Sequence, residues 1–312
     1  MIGVKRDEKG KVMNMDPIMK AVKAVHTVAG GGASVTPEDL EKQRSAQDLF
    51  ARLATPGVGV TAEEMMVDNI PAEWLRPDFC HEKKHVIMYC HGGGYTCGSL
   101  KYARILASKL SLHTGLEVFS FEYRLAPENP FPAAIEDALT VWDYLMKKGY
   151  GARDVLVAGD SAGGNLALEL CLQLKKEGRF RPRGLILMSP WTDMTVTSKT
   201  YESCLDKDPM LTPDYVRAVR GAYVGTEEVD FSKTEYSPLY ADLEGLPPTL
   251  IQVGTHEILL DDSRQLAKKM QKAGGFVKLE VYDDGWHVFQ QLPIRRAYRA
   301  MEAIGKFTQS IL

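Results

Sequence analysis

Membrane-length apolar runs, excess charge of one sign and paired cysteines are all missing from this chain of 312 residues. No stretch approaches the ~18 consecutive apolar residues of a spanning helix, so no membrane span is expected. Residues 1–16 are polar and charged without an apolar centre. A secretory signal is therefore not expected, and the chain reads as cytoplasmic. Lys and Arg number 38 against 41 Asp and Glu, a net charge of −3 with the basic residues dispersed. That balance excludes nucleic acid as the expected partner. The five cysteines (Cys80, Cys90, Cys97, Cys171 and Cys204) are odd in number and lack the paired spacing of a zinc site. They fit a reducing compartment, and neither a metal nor an organic cofactor is expected. Internal repeats and Pro/Gly/Ser-rich linkers are absent too, and Gly30-Gly31-Gly32 is the one flexible hinge. With 45% hydrophobic residues, the chain reads as one large α/β domain.

What is present is an alternation of short apolar runs with helical patterns. Residues 86–90, 118–121, 155–158, 185–188, 250–253 and 277–282 read as strands. Runs of this kind between helices predict a mostly parallel sheet covered by helices on both faces. Residues 132–148 form the best-marked helix. Ile135, Ala138, Leu139, Trp142, Leu145 and Met146 make its apolar stripe, Pro132 opens it and Gly149 stops it. Residues 58–75 are less regular and are expected to add antiparallel strands at the sheet edge. Cys90 and Cys171 fall on apolar faces and are expected to be buried thiols.

The chemistry is concentrated in Gly159-Asp160-Ser161-Ala162-Gly163, set between the strand at 155–158 and a helical pattern that Gly178 stops. A serine on a sharp strand-to-helix turn presents its hydroxyl above the sheet, with the free N–H groups of the helix start beneath any anion formed there. The strand at 86–90 runs into His91-Gly92-Gly93-Gly94-Tyr95. Three consecutive glycines allow adjacent N–H groups to turn inward, as the oxyanion of a tetrahedral intermediate requires. The hole is assigned to the amides of Gly93, Gly94 and Ala162. His91 and Asp160 are expected to anchor their loops and not to act as base or acid. Cys97 follows the glycine loop closely, so alkylation there is expected to inhibit without a catalytic role. Tyr95 and Trp286 are candidates for lining the substrate pocket, and core packing is the competing role for each.

With HGGG and GDSAG both in place, the chain resembles the hormone-sensitive-lipase-like esterases (bacterial family IV) of the α/β-hydrolase fold. Tyr123-Arg124-Leu125-Ala126-Pro127-Glu128, Ser189-Pro190-Trp191, Ser237-Pro238-Leu239 and Asp284-Gly285-Trp286-His287 fall in family order from about residue 60 onward. The fold so implied orders the residues serine, acid, histidine along the chain, which selects His287 as the base over His256. The family usually carries aspartate where this chain has Glu257. Glu257 at the tip of the strand at 250–253 is the expected acid, and Asp261 is its competitor. The bland role for Asp261 and Asp262 is charge at the start of the helix that holds Leu266 and Met270.

The resemblance further implies a catalytic domain over 56–312, with residues 1–55 and an insertion at 192–236 packing over the site as a helical cap. Met13, Met15, Met19, Val22 and Val25 offer an apolar surface for that role. The expected activity is a serine carboxylesterase acting on short- to medium-chain acyl esters. An amidase, lactonase or carbamate hydrolase with the same triad is the alternative, and a non-catalytic ligand receptor a more remote one. The expected partner is a small-molecule ester. The strand at 277–282 is expected to leave a sheet edge free for a homodimer.

Overall fold

The computed structural model describes residues 34–53, 59–79, 81, 83–226 and 228–312. The apolar surface at 13–25, the hinge at 30–32 and Cys80 lie outside the described residues. The chain runs α1 (Pro37–Leu53), β1 (Val60–Val67), β2 (Ile70–Pro77), β3 (Val86–Cys90), α2 (Leu100–Thr114), β4 (Glu117–Phe121) and α3 (Ala133–Lys147). It continues through β5 (Val155–Asp160), α4 (Ala162–Lys176), β6 (Gly184–Met188), α5 (Thr200–Ser203) and α6 (Pro213–Val224). It closes with β7 (Thr249–Gly254), α7 (Leu260–Lys272), β8 (Val277–Tyr282) and α8 (Arg295–Ile311).

The strands form one eight-stranded sheet in the order β1-β2-β4-β3-β5-β6-β7-β8. β1 and β2 pair antiparallel, β2 pairs antiparallel with β4, and all remaining pairs are parallel. Every residue of β3 to β7 is buried, because helices cover both faces and neither can be polar. Alternate residues feed two cores. Val86, Met88, Val155, Val157, Leu185 and Leu187 meet α3, α4 and α7 on one face. Ile87, Tyr89, Leu156, Ala158, Ile186 and Met188 meet α2 and α8 on the other. Each buried Val, Leu, Ile or Met among them contributes roughly 1.5–3 kcal/mol of transfer free energy.

The six expected strands are found, with ends that differ by no more than two residues, and the described residues of the 58–75 stretch form the β1–β2 hairpin. β2 carries a buried carboxylate, Glu73, which Arg104 of α2 neutralises through an Nε–H bond of 2.8 Å. That inward charge is why the strand pattern there is irregular. α2 is delimited by a Ser99 cap that accepts from the Tyr102 N–H and by Gly115 in the left-handed region. Among the described residues no helix is long and apolar enough to cross a membrane.

Registers place the functional loops together. Cys90 of β3 lies opposite Gly159 of β5, so the loops carrying the glycine triplet and Ser161 leave the sheet side by side. Gly254 of β7 lies opposite Tyr282 of β8, so the loops carrying Glu257 and His287 do the same. All four loops leave the carboxyl ends of parallel strands, where open α/β sheets bind ligands.

Candidate active site

Ser161 sits between β5 and α4 with φ 54° and ψ −121°, a conformation that non-glycine residues avoid and that costs on the order of 1–3 kcal/mol. The surrounding backbone holds it there. The Ser161 N–H donates to the Met188 carbonyl at 3.0 Å, and its own carbonyl accepts from Trp191 N–H at 3.1 Å. The turn is possible only because backbone crosses backbone: a Cβ on Gly163 would strike the carbonyl oxygens of Cys90 and His91.

The glycine loop lies against this turn. Gly93 and Gly94 adopt φ of 122° and 64°, and among the described residues neither amide donates to a backbone acceptor. The Ala162 amide heads α4 and has no intrahelical partner. Asp160 holds the two pieces together, its Oδ1 accepting from Gly92 N–H at 2.9 Å and from the Tyr89 hydroxyl at 2.5 Å. Burial pushes the Asp160 carboxyl up to about 6. His91 is fully buried, its ring 4.2 Å from that of Tyr123 and its Nδ1 bonded to the Gly92 carbonyl. It is an anchor of the loop and has no contact with Ser161.

On the far side, His287 Nε2 lies 2.9 Å from Ser161 Oγ. Its Nδ1 lies 3.3 Å from Glu257 Oε2. The pairing fixes the tautomer: Nδ1–H donates to the carboxylate and Nε2 accepts from the hydroxyl. Glu257 is fully buried and accepts at Oε1 from the Ser189 hydroxyl at 2.8 Å and from Gly254 N–H at 2.6 Å. Ser189 Oγ in turn accepts from Val288 N–H at 3.1 Å, so one hydroxyl ties the acid to the residue after the histidine. Burial works against a charged imidazole here. The hydrogen bond and charge of Glu257, with the carboxylates of Asp208 and Asp160, outweigh it and hold the His287 pKa above 6.5.

The competing residues lie elsewhere. Asp261 stands in the first turn of α7, 3.4 Å from Arg264, and is not bonded to His287. His256 Nε2 faces Asp284 Oδ1 at 3.5 Å. Asp262 is not merely helix-start charge: it is fully buried and accepts the N–H groups of Thr192 and Asp193 at 3.3 and 3.2 Å.

Ser161 opens into a cavity of about 340 Å³ whose walls include Gly93, Gly94, Trp191, Leu259 and Trp286. Its roof comes from two elements outside the alternating core: Gln43, Ala46, Gln47 and Phe50 of α1, and Tyr215, Val216 and Val219 of α6. Trp286 thus lines the cavity, but Tyr95 does not, a correction to its candidacy as a pocket residue. Its ring stacks on Tyr223 of α6 at 3.7 Å, and its hydroxyl donates to Asn165 Oδ1 at 2.7 Å. The positive φ of 62° at Tyr95 turns the side chain into the joint between the loop, α4 and α6. Cys97 lines the cavity as a buried thiol, and Cys90 and Cys171 are buried in the core. Among the described residues no group of three His, Cys, Asp or Glu side chains is arranged to hold a metal ion.

Several supporting residues carry no motif signal. Lys109 of α2 donates to the carbonyls of Gln290, Gln291 and Leu292 at 2.7, 2.7 and 3.1 Å. It thereby caps the short helical turn that follows His287. Burial lowers its ammonium to about 8. Ser189 lies in a segment noted for its resemblance, and only its contacts reveal what it does.

Residues 87–291 match a family described as having the α/β-hydrolase fold. An esterase of Acinetobacter venetianus is 38% identical over 228 residues, covering 72% of this chain and 75% of its own length. An acetyl-hydrolase of Streptomyces hygroscopicus is 35% identical over 270 residues, covering 85% and 87%. Among solved structures, an esterase of the bacterial hormone-sensitive lipase family superposes with a TM-score of 0.87 at 32% identity, over 96% of this chain and 99% of that one. An esterase/lipase from an uncultured bacterium superposes at 0.85 and 32%, over 95% and 99%.

Proposed function

The chain belongs to the hormone-sensitive-lipase-like esterases of the α/β-hydrolase fold and is a carboxylic ester hydrolase, and from that premise we propose that it works as a serine esterase through Ser161, His287 and Glu257. The observation that carries this reading is the unbroken hydrogen-bonded line from Glu257 through His287 to Ser161, at 3.3 and 2.9 Å, ending at the cavity. His287 takes the Ser161 proton as the serine oxygen attacks the ester carbonyl. The amides of Gly93, Gly94 and Ala162 receive the negative charge of the tetrahedral intermediate. The imidazolium then protonates the departing alcohol, leaving an acyl-serine, and water deprotonated by the same histidine releases the acid. Glu257 keeps the imidazole oriented and offsets its positive charge. Its extra methylene relative to aspartate is accommodated by anchoring Oε1 to Gly254 and Ser189 while Oε2 faces the ring.

The cavity volume falls at the lower end for ligand pockets, which favours short- to medium-chain acyl esters. α1 and the insertion at 192–236 act as the cap, excluding water from the acyl-enzyme. Buried free thiols suit a cytoplasmic location. β8 stands at the sheet edge and serves a homodimer by pairing with its twin. Gel filtration returning only monomer at micromolar concentration removes that dimer.

The test is hydrolysis of a p-nitrophenyl ester series from acetate to palmitate. Wild type is expected to peak on short chains, with Ser161→Ala and Glu257→Gln inactive and Asp261→Asn close to wild type. Collapse in Asp261→Asn alone moves the acid to Asp261. No turnover by folded wild type on any ester sinks the short-chain esterase and turns attention to amides and lactones.

A further inference from the structure

Asp208 is a carboxylate of the insertion, not of the sheet that builds the site. It is only 4% exposed. Its Oδ1 accepts the N–H groups of Met210 and Leu211, both at 2.9 Å, and its Oδ2 accepts the Ile258 N–H at 3.0 Å. Ile258 directly follows Glu257, while Met210 and Leu211 line the cavity. One carboxylate therefore spans the substrate-facing wall and the backbone that presents the acid. Thr200 reinforces the same junction. Its hydroxyl donates to the Ile258 carbonyl at 2.8 Å and accepts from Asp261 N–H at 3.1 Å. Asp208 meets no lysine or arginine within ion-pair distance among the described residues, and the charge that acts on it most strongly is His287.

Three backbone N–H groups shared over two oxygens suit a carboxylate, since the NH2 of a neutral amide in its place would meet one of those N–H groups; burial nevertheless pushes the Asp208 carboxyl up to about 6, so above that pH it is a buried anion. The negative charge has a use if it faces a group that becomes positive during turnover, and His287 becomes imidazolium in every cycle. We propose that Asp208 is a positioning residue of the hydrolytic site, holding the loop of Glu257 in register with the cavity wall and adding its charge to the stabilisation of protonated His287. The proposal rests on Ser161, His287 and Glu257 being the triad. It makes the insertion part of the catalytic apparatus and not only a roof over it.

Glu257 from the β7 loop contacts the His287 ring, and the charges of Asp208 from the insertion and Asp160 from the β5 turn also favour its protonated form. Removing the charge of Asp208 should favour neutral imidazole, so the acid limb of kcat/KM should move to lower pH. The experiment follows kcat, KM and this limb for wild type, Asp208→Asn, Asp208→Glu and Thr200→Val, with melting temperatures and stoichiometric labelling of Ser161 by diethyl p-nitrophenyl phosphate. In Asp208→Asn, kcat should fall roughly tenfold with KM within about twofold. Its acid limb should move down by roughly half a pH unit. Thr200→Val, which loosens the junction but keeps the charge, should lose kcat with an unmoved limb. A folded Asp208→Asn whose limb stays in place overturns the electrostatic role, and one with wild-type kcat overturns the positioning role. If Asp208→Asn does not fold, Asp208→Glu decides: a roughly tenfold loss of kcat with the limb unmoved is expected, and wild-type kcat overturns the proposal. A wild type that is not labelled at Ser161 refutes the triad reading and this proposal together, whereas normal labelling with an unaltered Asp208→Asn profile refutes the proposal alone.

Discussion

On the Ser161 side of the site, the serine turn and the glycine loop are fixed mainly by backbone pressed on backbone, with the Asp160 carboxylate as a side-chain tie between them. On the opposite side, Glu257 and His287 hang from loops clamped by side chains that arrive from distant parts of the chain. Gly163 lets α4 touch the end of β3, and no larger residue fits between them. Across the cavity, Ser189, the insertion residues Thr200 and Asp208, and Lys109 reach in from three separate segments. A joint built from close-packed backbone tolerates almost no substitution but needs few partners. A joint built from side-chain hydrogen bonds can be weakened in steps, because each bond contributes only about 0.5–3 kcal/mol.

Substitutions can break or sharpen this contrast. The largest effect is expected at the proposed nucleophile: Ser161→Ala should lower kcat for p-nitrophenyl acetate by roughly 10^5–10^6-fold with an unchanged melting curve. A loss below a hundredfold places the nucleophile elsewhere. Glu257→Gln should cost roughly 10^4-fold, since the amide can orient the wrong imidazole tautomer and no longer offsets its charge. The same logic fixes the pH profile of the wild type. The base must be neutral, and its pKa is held above the ordinary value, so kcat/KM should fall as pH drops through a midpoint above 6.5. A midpoint below 6.5 contradicts the Glu257 pairing.

Gly163→Ala tests the backbone joint. Its Cβ has nowhere to go, so Ser161 must shift, and a kcat loss of at least about a hundredfold is expected together with a lower melting temperature. Ser189→Ala tests the opposite side and should cost only ~tenfold in kcat, because Glu257 keeps its bond to Gly254. If the two losses come out equal, the contrast fails.

Lys109→Met should give the smallest effect, a KM increase of roughly threefold as the turn after His287 loosens. Its stability signature is separate. The folded pKa is about 8 against 10.5 for the unfolded chain, so between those values the unfolded chain holds a proton that the folded one has released. Wild-type stability relative to Lys109→Met should therefore rise from pH 8 to 10.5, as read from denaturant midpoints. A difference that stays flat across this window places the ammonium outside the buried contact.

The same contrast governs how much could be read from the sequence. Backbone joints require glycine at fixed offsets, so Gly159-Asp160-Ser161-Ala162-Gly163 and Gly92-Gly93-Gly94 announced the turns they form at the ends of their strands. The buried strands were equally plain, since continuous apolar runs have few other uses. Side-chain clamps leave no such trace. Asp208 looks like any loop aspartate until Ile258, fifty residues on, is brought against it. Lys109 lies on an exposed-looking helix position 181 residues before its first carbonyl partner. Tyr95 misled for a related reason: adjacency to the glycine loop suggests the cavity, but a positive φ turns the ring toward Tyr223.

The roof of the cavity inherits this mixed construction. α6 is joined to the glycine loop by stacked tyrosine rings. α1 is joined both by apolar packing of Phe50 and Ala51 with Tyr102 and Ile105 of α2 and by polar and charged contacts: Arg44 to Glu128 at 2.8 Å and Asp48 to the Ser99 hydroxyl at 2.8 Å. Ionic strength acts on these in opposite directions, screening the charges and strengthening apolar contact. Raising salt should weaken the ionic ties of α1 and leave the stacked joint of α6 in place, so substrate entry would pass on the α1 side and its rate constant would carry a salt dependence that an uncharged ester could not supply by itself.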